Sequence, residues 1–349
     1  MDIHLGATQW RSEGGKHVPQ NATTMEGIFE IQRHASDPKQ DTLRWCFAQP
    51  SQPRPTSFDV NAGSGHTSVK LQRYIVNEDE IVAKLEQAGA TIYKDSDGGW
   101  VREIVLPETF DSKVAMQTIP DLRKLGSVVA DVADQELIDS LVGHASVKSL
   151  RFHSPVASDQ LDLLTSSLVH LQELGLRCEE FSEAHCSAIL KGESIHTLRL
   201  EGNEDDLPGL AMLKGKHIGL LELIDCKPSR TCFERISDNL LTLGFLHITD
   251  CQVSPDALTP IARMERLYDL KLTGPLITDE HLLAIKSQTN VRILHINDTA
   301  VTHLTLEHVL KNFPHVFSVH AANVAFDRDA LDAIALEAGD RQFNLRLSH

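Results

Sequence analysis

The chain has 349 residues, 41% of them hydrophobic, 23% charged and 5% aromatic. That is the make-up of a globular protein with ample core, and it excludes a disordered or fibrous chain. Asp and Glu number 49 against 33 Lys and Arg, a formal net charge of −16, which repels nucleic acid and anionic membrane unless basic residues gather on one face. No run approaches the roughly 18 apolar residues of a membrane helix. Met1 to Pro19 carries no apolar signal core, so no secretory leader and a cytoplasmic location are expected. Six cysteines, Cys46, Cys178, Cys186, Cys226, Cys232 and Cys251, form no CxxC pair. Free buried thiols in a reducing compartment fit that spacing better than a disulfide framework or a zinc site.

Residues 1–76 are rich in turn formers, with Pro19, Pro38, Pro50, Pro53 and Pro55 among them. Short strands are expected at 27–32, 42–48, 56–60 and 68–74. Gly27-Ile28-Phe29, Thr42-Leu43-Arg44-Trp45-Cys46, Arg54-Pro55-Thr56-Ser57-Phe58 and Leu71-Gln72-Arg73 follow one another. Together they resemble the C-terminal half of a small lipocalin-like β domain of bacterial, often planctomycete, proteins. Arg-Pro-Thr-x-Phe is the most specific part of that resemblance. Half a barrel leaves open edges. The segment therefore leans on the repeat region, pairs with another chain, is partly disordered, or continues a sequence that starts upstream. A pocket lined by Phe29, Trp45, Phe47 and Phe58 would make it a small-ligand binder, the alternative function.

The second expected region is 77–349. Glu78-Asp79-Glu80 opens a predicted helix in which Ile81, Leu85 and Ala88 share a face and Gly89 is the stop. It reads as the cap of a repeat array. From Val101 onward, apolar-x-x-apolar-x-apolar recurs with first positions Val101, Leu122, Val147, Leu171, Ile195, Ile218, Leu243, Leu267, Val291 and Val316, spaced 21 to 25 residues apart. Of thirty template positions twenty-nine are apolar, Ser127 being the exception. Positions four and six alternate as in a short strand with one buried face. The second half of most units reads as a helix, as in ITDEHLLAIKSQ, VSPDALTPIARM and FDRDALDAIALE. Thr278, Ser254 and Asp327 are its expected starts, each with acids in the first turn. Irregular helical sides are expected at 107–121 and, because of Pro208 and Pro228, irregular loops or short 3₁₀ turns in place of full helices between Ile195 and Leu241. Phe343 to Leu347 reads as a final strand. One strand and one helix close no core alone, but stacked units bury a continuous one.

This pattern resembles the leucine-rich repeat family, closest to the bacterial type with Thr-Asp opening its helical side, as in Ile277-Thr278-Asp279-Glu280-His281-Leu282. The resemblance implies an α/β leucine-rich repeat solenoid of about ten strand–helix units preceded by a small β-rich segment. It also implies a ladder of small residues eight places after each first position: Thr109, Asn203, Cys226, Cys251 and Thr299. Cys226 and Cys251 would then lie inside, bonded to loop backbone.

In that fold the strands line a concave face, and the fifth motif position points into the open. This column reads Val105, Gly126, Arg151, Gly175, Arg199, Glu222, His247, Lys271, His295 and His320, then Arg346. With the second and third positions added, Lys and Arg number nine and acids four, a +5 face on an acidic chain. The expected function is a non-catalytic protein-interaction scaffold that binds an acidic partner there, with no nucleic acid or membrane. Its site would be Arg151, Arg199, Glu222, His247, Lys271, His295 and His320. The three histidines would add charge below about pH 6.5.

No catalytic, metal or cofactor site is assigned. Gly63-Ser64-Gly65-His66 lacks the Lys-Ser/Thr of a phosphate loop, and no G-x-S-x-G occurs. His303 with His308 and His185 with Cys186 lack partners at ligand spacing. Asp95-Ser96-Asp97-Gly98 opens like a calcium loop, but Leu106 stands where the twelfth-place acid belongs, so a plain turn is expected.

Overall fold

The computed structural model describes the chain from residue 78 onward, apart from 97–98, 178–180, 203–206, 289, 328, 333, 335–343 and 348–349; before residue 78 it describes the backbone of five strands. Contacts divide the chain into two units, Met1–Asn77 and Glu78–His349. In the first, β1 (Trp10–Glu13) pairs antiparallel with β2 (Lys16–Pro19), a hairpin the turn-rich sequence did not announce. A separate antiparallel sheet has β4 (Thr42–Ala48) between β3 (Gly27–Gln32) and β5 (His66–Gln72). The strand expected at 68–74 thus begins two residues earlier, at His66. The strand expected at 56–60 lies outside the described residues.

The second unit opens with α1 (Glu78–Gln87), which has three acids in its first turn and buries Ile81, Val82 and Leu85. Gly89 then takes φ 98°, a left-handed turn that residues with a Cβ resist. A strand that the residue pattern does not predict, β6 (Thr91–Lys94), pairs antiparallel with β7 (Val101–Leu106). The turn between them is tied by Asp95 N–H to Trp100 O at 2.9 Å and by Trp100 N–H to Asp95 Oδ1 at 3.1 Å. From β7 on, every strand is parallel to the last and lies beside it: β8 (Ser127–Ala130), β9 (Ser149–Phe152), β10 (Glu173–Arg177), β11 (Thr197–Glu201) and β12 (Leu220–Ile224). The order continues through β13 (Phe245–Thr249), β14 (Asp269–Thr273), β15 (Ile293–His295), β16 (Ser318–His320) and β17 (Asn344–Arg346), completing a 12-stranded sheet.

Parallel neighbours need crossovers, and here these are α2 (Ser112–Thr118), α3 (Gln135–Leu141), α4 (Ser158–Ser167), α5 (Glu183–Lys191), α6 (Arg230–Asn239), α7 (Asp279–Ala284) and α8 (His303–Asn312), with 3₁₀ helices at Pro208–Leu213 and Pro255–Arg263. Each packs on the next. The core lies between helices and sheet: Leu198, Leu200, Leu221, Leu223, Leu246 and Ile248 meet Cys232, Phe233, Ile236 and Ile261, all fully buried. No helix among the described residues is long and apolar enough to cross a membrane.

The repeat frame needs one correction. Leu122 and Leu125 are both buried and three apart, so the sequence offers two frames for the second unit. The sheet uses Leu125-Gly126-Ser127-Val128-Val129-Ala130. Backbone bonding fixes this frame: Gly126 N–H donates to Arg102 O and Lys148 N–H to Gly126 O, both at 2.8 Å, and this second-position ladder continues repeat after repeat to Phe317. Ser127 then leaves the template, and Ala130 fills the buried position.

The helical side differs from expectation in three places. Residues 107–121 are irregular only in part: Asp111 accepts from Lys113 N–H and starts α2, and a 3₁₀ turn at Ile119–Asp121 follows it. Pro228 does not break the next unit but precedes Ser229, whose side chain caps the full helix α6. VSPDALTPIARM forms a 3₁₀ helix instead of an α-helix: Pro260 lies inside it and has no N–H to donate. At the far end β17 pairs with β16 as expected, and Leu347 is 44% exposed. Phe343 lies outside the described residues.

After each strand the chain must turn sharply toward its crossover. In six repeats from β11 on, the eighth motif position does this with positive φ, at Gly202, Asp225, Asp250, Gly274, Asp298 and Asn323. These are the residue types for which the left-handed region is least costly.

Candidate functional site

Strand register places the fifth positions side by side. Val105 stands beside Val129 and Val129 beside Arg151. Then come Gly175, Arg199, Glu222, His247, Lys271, His295, His320 and Arg346, each paired with the next. From Val105 to His320 their neighbours on either side in sequence are buried, so alternation turns this column to the open face. All seven expected site residues belong to the column. Gly126 does not, because the corrected frame puts Val129 there. Arg123 and Lys124 drop out with it, and Lys124 Nζ instead sits 4.6 Å from the Trp100 ring centroid. The basic residues of the face become Arg102, Lys148, Arg151, Arg199, Lys271, Arg292 and Arg346 against Glu103, Glu173, Glu222 and Asp269. The excess is smaller than the sequence frame suggested and keeps its sign.

The two halves of the column are wired differently. In the earlier half, Arg199 Nη1 donates to Glu222 Oε2 at 3.0 Å, and its Nη2 lies 4.0 Å from Glu201 Oε2. His153 Nδ1 stands 3.3 Å from the same Glu201 oxygen. In the later half, Asp269 is the hub: His295 Nε2 lies 3.4 Å from its Oδ2 and His247 Nε2 3.7 Å from its Oδ1. The His295 and His320 rings stack at 4.4 Å. Asp269 is only 8% exposed, and its Oδ1 accepts no hydrogen bond. Burial alone would raise its carboxyl, but the His247 and His295 side chains outweigh that and hold it well below the ordinary carboxylate range. Burial, with the charges of His295 and Arg346, pushes His320 down, so its charge arrives at lower pH than its ordinary value implies. Arg151 and Lys271 form no ion pair with any described residue. Exposed rings lie alongside, with Phe245 and Tyr268 centroids 6.2 Å apart and Phe317 44% exposed.

Sequence reasoning counts Asp269 only as one acid. Its role follows from a diagonal: a third position on β14 faces fifth positions on β13 and β15, which the repeat alignment already contains.

Other histidines lie on the helical side and are spent on structure. His281 Nδ1 accepts from Thr278 N–H at 3.1 Å, and its Nε2 meets Val253 O of the preceding repeat at 2.8 Å. His185 repeats this with Ser182 N–H at 3.2 Å and Val156 O at 2.9 Å. His144 Nε2 reaches Ile119 O at 3.2 Å and His308 Nε2 reaches Ile285 O at 3.0 Å. Among the described residues no three His, Cys, Asp or Glu side chains are grouped to hold a metal ion.

Cys186, Cys226, Cys232 and Cys251 are buried thiols that form no disulfide. Burial, with the Glu183 charge, pushes the Cys186 thiol up to about 12. Cys226 Sγ donates to Ile224 O at 3.2 Å and Cys251 Sγ to Thr249 O at 3.3 Å, while Thr299 Oγ1 donates to Ile296 O at 2.8 Å. The small-residue ladder is therefore real at these three positions. Thr109 is exposed and stands outside it; Asn203 is not among the described residues.

One parallel strand per repeat, a crossover on one side and a ladder of turn residues define an α/β solenoid of the leucine-rich repeat type. No protein-family description and no curated protein matches the chain. Solved structures do resemble it. A Bacteroides fragilis protein aligns at TM-score 0.40 and 9% identity, over 94% of both chains. An internalin of Listeria monocytogenes aligns at TM-score 0.32 and 11% identity, over 78% of this chain and 94% of its own. The chain in a TLR13–ssRNA13 complex aligns at TM-score 0.41 and 13% identity over 70% of this chain, which spans only 38% of that one. At such scores the fold rests on this chain's own register and packing.

Proposed function

We propose that the chain is a non-catalytic interaction scaffold whose concave sheet face docks an acidic protein segment. The reading is carried by the continuous column of Arg151, Arg199, Glu222, His247, Lys271, His295 and His320. Its two cations without ion pairs among the described residues, Arg151 and Lys271, lie on β9 and β14. At about 4.8 Å per strand they are some 24 Å apart. That span suits an extended segment with several carboxylates better than a small metabolite. Complementary charge would set the encounter rate and the choice of partner.

The test is fluorescence anisotropy with a labelled deca-glutamate peptide at low salt, wild type against Arg151→Glu with Lys271→Glu. Arg199 is spared because a carboxylate there would face Glu222 and Glu201. Affinity at least about tenfold weaker in the double variant, with an unchanged circular dichroism spectrum, is the expected result. Equal affinity, or tighter binding of a single-stranded RNA of equal length, would overturn the reading.

A further inference from the structure

The column of long side chains has one gap, at Gly175 on β10. Arg151 and Arg199 flank it on β9 and β11. A Cβ placed on Gly175 would stand 2.9 Å from Arg151 Cγ and 3.3 Å from Arg151 Cβ. The Arg151 stem therefore lies across the glycine, in space any other residue would claim. Ser149, Arg151, Glu173, Thr197, Arg199 and Glu222 are among the side chains that line a notch here, with a volume of about 210 Å³. Small-molecule sites usually measure roughly 300–1,000 Å³. This one is the size of a side chain.

Arg151 and Arg199 are among its walls and share no carboxylate among the described residues. Arg151 makes no ion pair among the described residues. Arg199 gives Nη1 to Glu222, while its Nε–H is shielded from solvent and has no acceptor. Like charges brought around a recess, one of them short of an acceptor, are under-satisfied until an oxyanion arrives. A carboxylate suits the planar fork of arginine. Glu173 and Glu222 on the rim limit how much negative charge the notch can take, which favours one carboxylate over a dense polyanion.

We propose that the notch over Gly175 is a carboxylate subsite, receiving a single Glu or Asp side chain of the acidic segment between Arg151 and Arg199. This rests on the docking function above and sharpens it. Gly175 has no charge to lose, so its replacement separates the two ideas. Gly175→Val fills the notch, leaves the net charge of the face unchanged and suits a strand. With the same deca-glutamate probe and the full chain, Gly175→Val, whose Cβ must displace the Arg151 stem, is expected to bind at least about fivefold more weakly while its circular dichroism spectrum stays that of the folded chain. Lys271→Ala, away from the notch, is expected to weaken binding only about twofold. If Gly175→Val binds like wild type while Arg151→Glu with Lys271→Glu does not, the subsite is wrong and the docking face stands. If wild type fails to bind the probe, both fall. Should Gly175→Val not fold, Arg151→Lys carries the test: it keeps the charge and removes the fork. A loss of about threefold or more is expected, and unchanged affinity overturns the subsite.

Discussion

Histidine serves two purposes on opposite sides of this solenoid. On the helical side, His144, His185, His281 and His308 each reach a backbone carbonyl of the preceding repeat. On the sheet side, His247, His295 and His320 stand half-buried in a column turned to the open face, the first two beside one carboxylate and His320 stacked on His295. Motif position separates the two. A histidine three residues past a Ser or Thr start can close the helix cap with one nitrogen and bridge repeats with the other. A histidine between two buried strand residues has no carbonyl to reach, so it meets side chains or a ligand.

The largest effect that would sharpen this contrast is His281→Ala. It removes a cap acceptor and an inter-repeat bond from a buried ring, and is expected to cost about 2–3 kcal/mol in chemical denaturation. A loss below about 0.5 kcal/mol, the ordinary range for a surface change, would break the assignment. Next is Asp279→Ala. Asp279 accepts from Thr302 N–H at 2.9 Å, Thr302 Oγ1 at 2.8 Å and Thr305 Oγ1 at 2.5 Å. Burial would raise this carboxyl, but these bonds hold it below its ordinary value. Its contribution is therefore present at neutral pH and fades as acid protonates it. A cost of about 1–2 kcal/mol at pH 7, shrinking toward pH 3, is expected.

Third comes pH. Burial pushes His144 below its ordinary value of 6.5, against the opposing pull of backbone bonds to Ile119 and Leu122. The unfolded chain then binds a proton the folded chain refuses, so stability falls as pH drops below 6.5. His144→Gln should flatten that slope between pH 7 and 5 in parallel urea melts. An unchanged slope would mean that His144 does not titrate against folding. The smallest effect is His295→Ala on the sheet side, expected to cost about 1 kcal/mol or less because Asp269 loses one of its two histidine neighbours, while altering probe binding. A large stability loss there would dissolve the contrast.

Much of this could be read from residue spacing. Positions one, four and six are buried because the repeat demands it, and the pattern located every parallel strand but β8, β17 included. It failed at the second unit, where Leu122 was read as the first position although the frame from Leu125 makes all three template positions apolar, with Val128 and Ala130 in place of Leu125 and Ser127. It could not tell a 3₁₀ from an α crossover at Pro255–Arg263. It passed over β6, whose four residues are mostly exposed and carry no apolar period. The site column was legible for the same reason as the core. The Asp269 hub and the notch over Gly175 were not, because each depends on how neighbouring repeats lie against one another.

The second-position ladder from Arg102 to Phe317 bonds each repeat to its neighbours and to nothing farther away. Cooperativity in such a molecule is one-dimensional: folding free energy sums over units and junctions, and damage spreads only as far as the coupling between adjacent units carries it. Amide exchange should therefore be graded along the chain. The fastest interior exchange is expected around Pro208–Leu213, where the crossover is a single short 3₁₀ helix. That crossover follows β11, the strand that carries Arg199 and pairs on both sides, so exchange measured there reports directly on the docking surface.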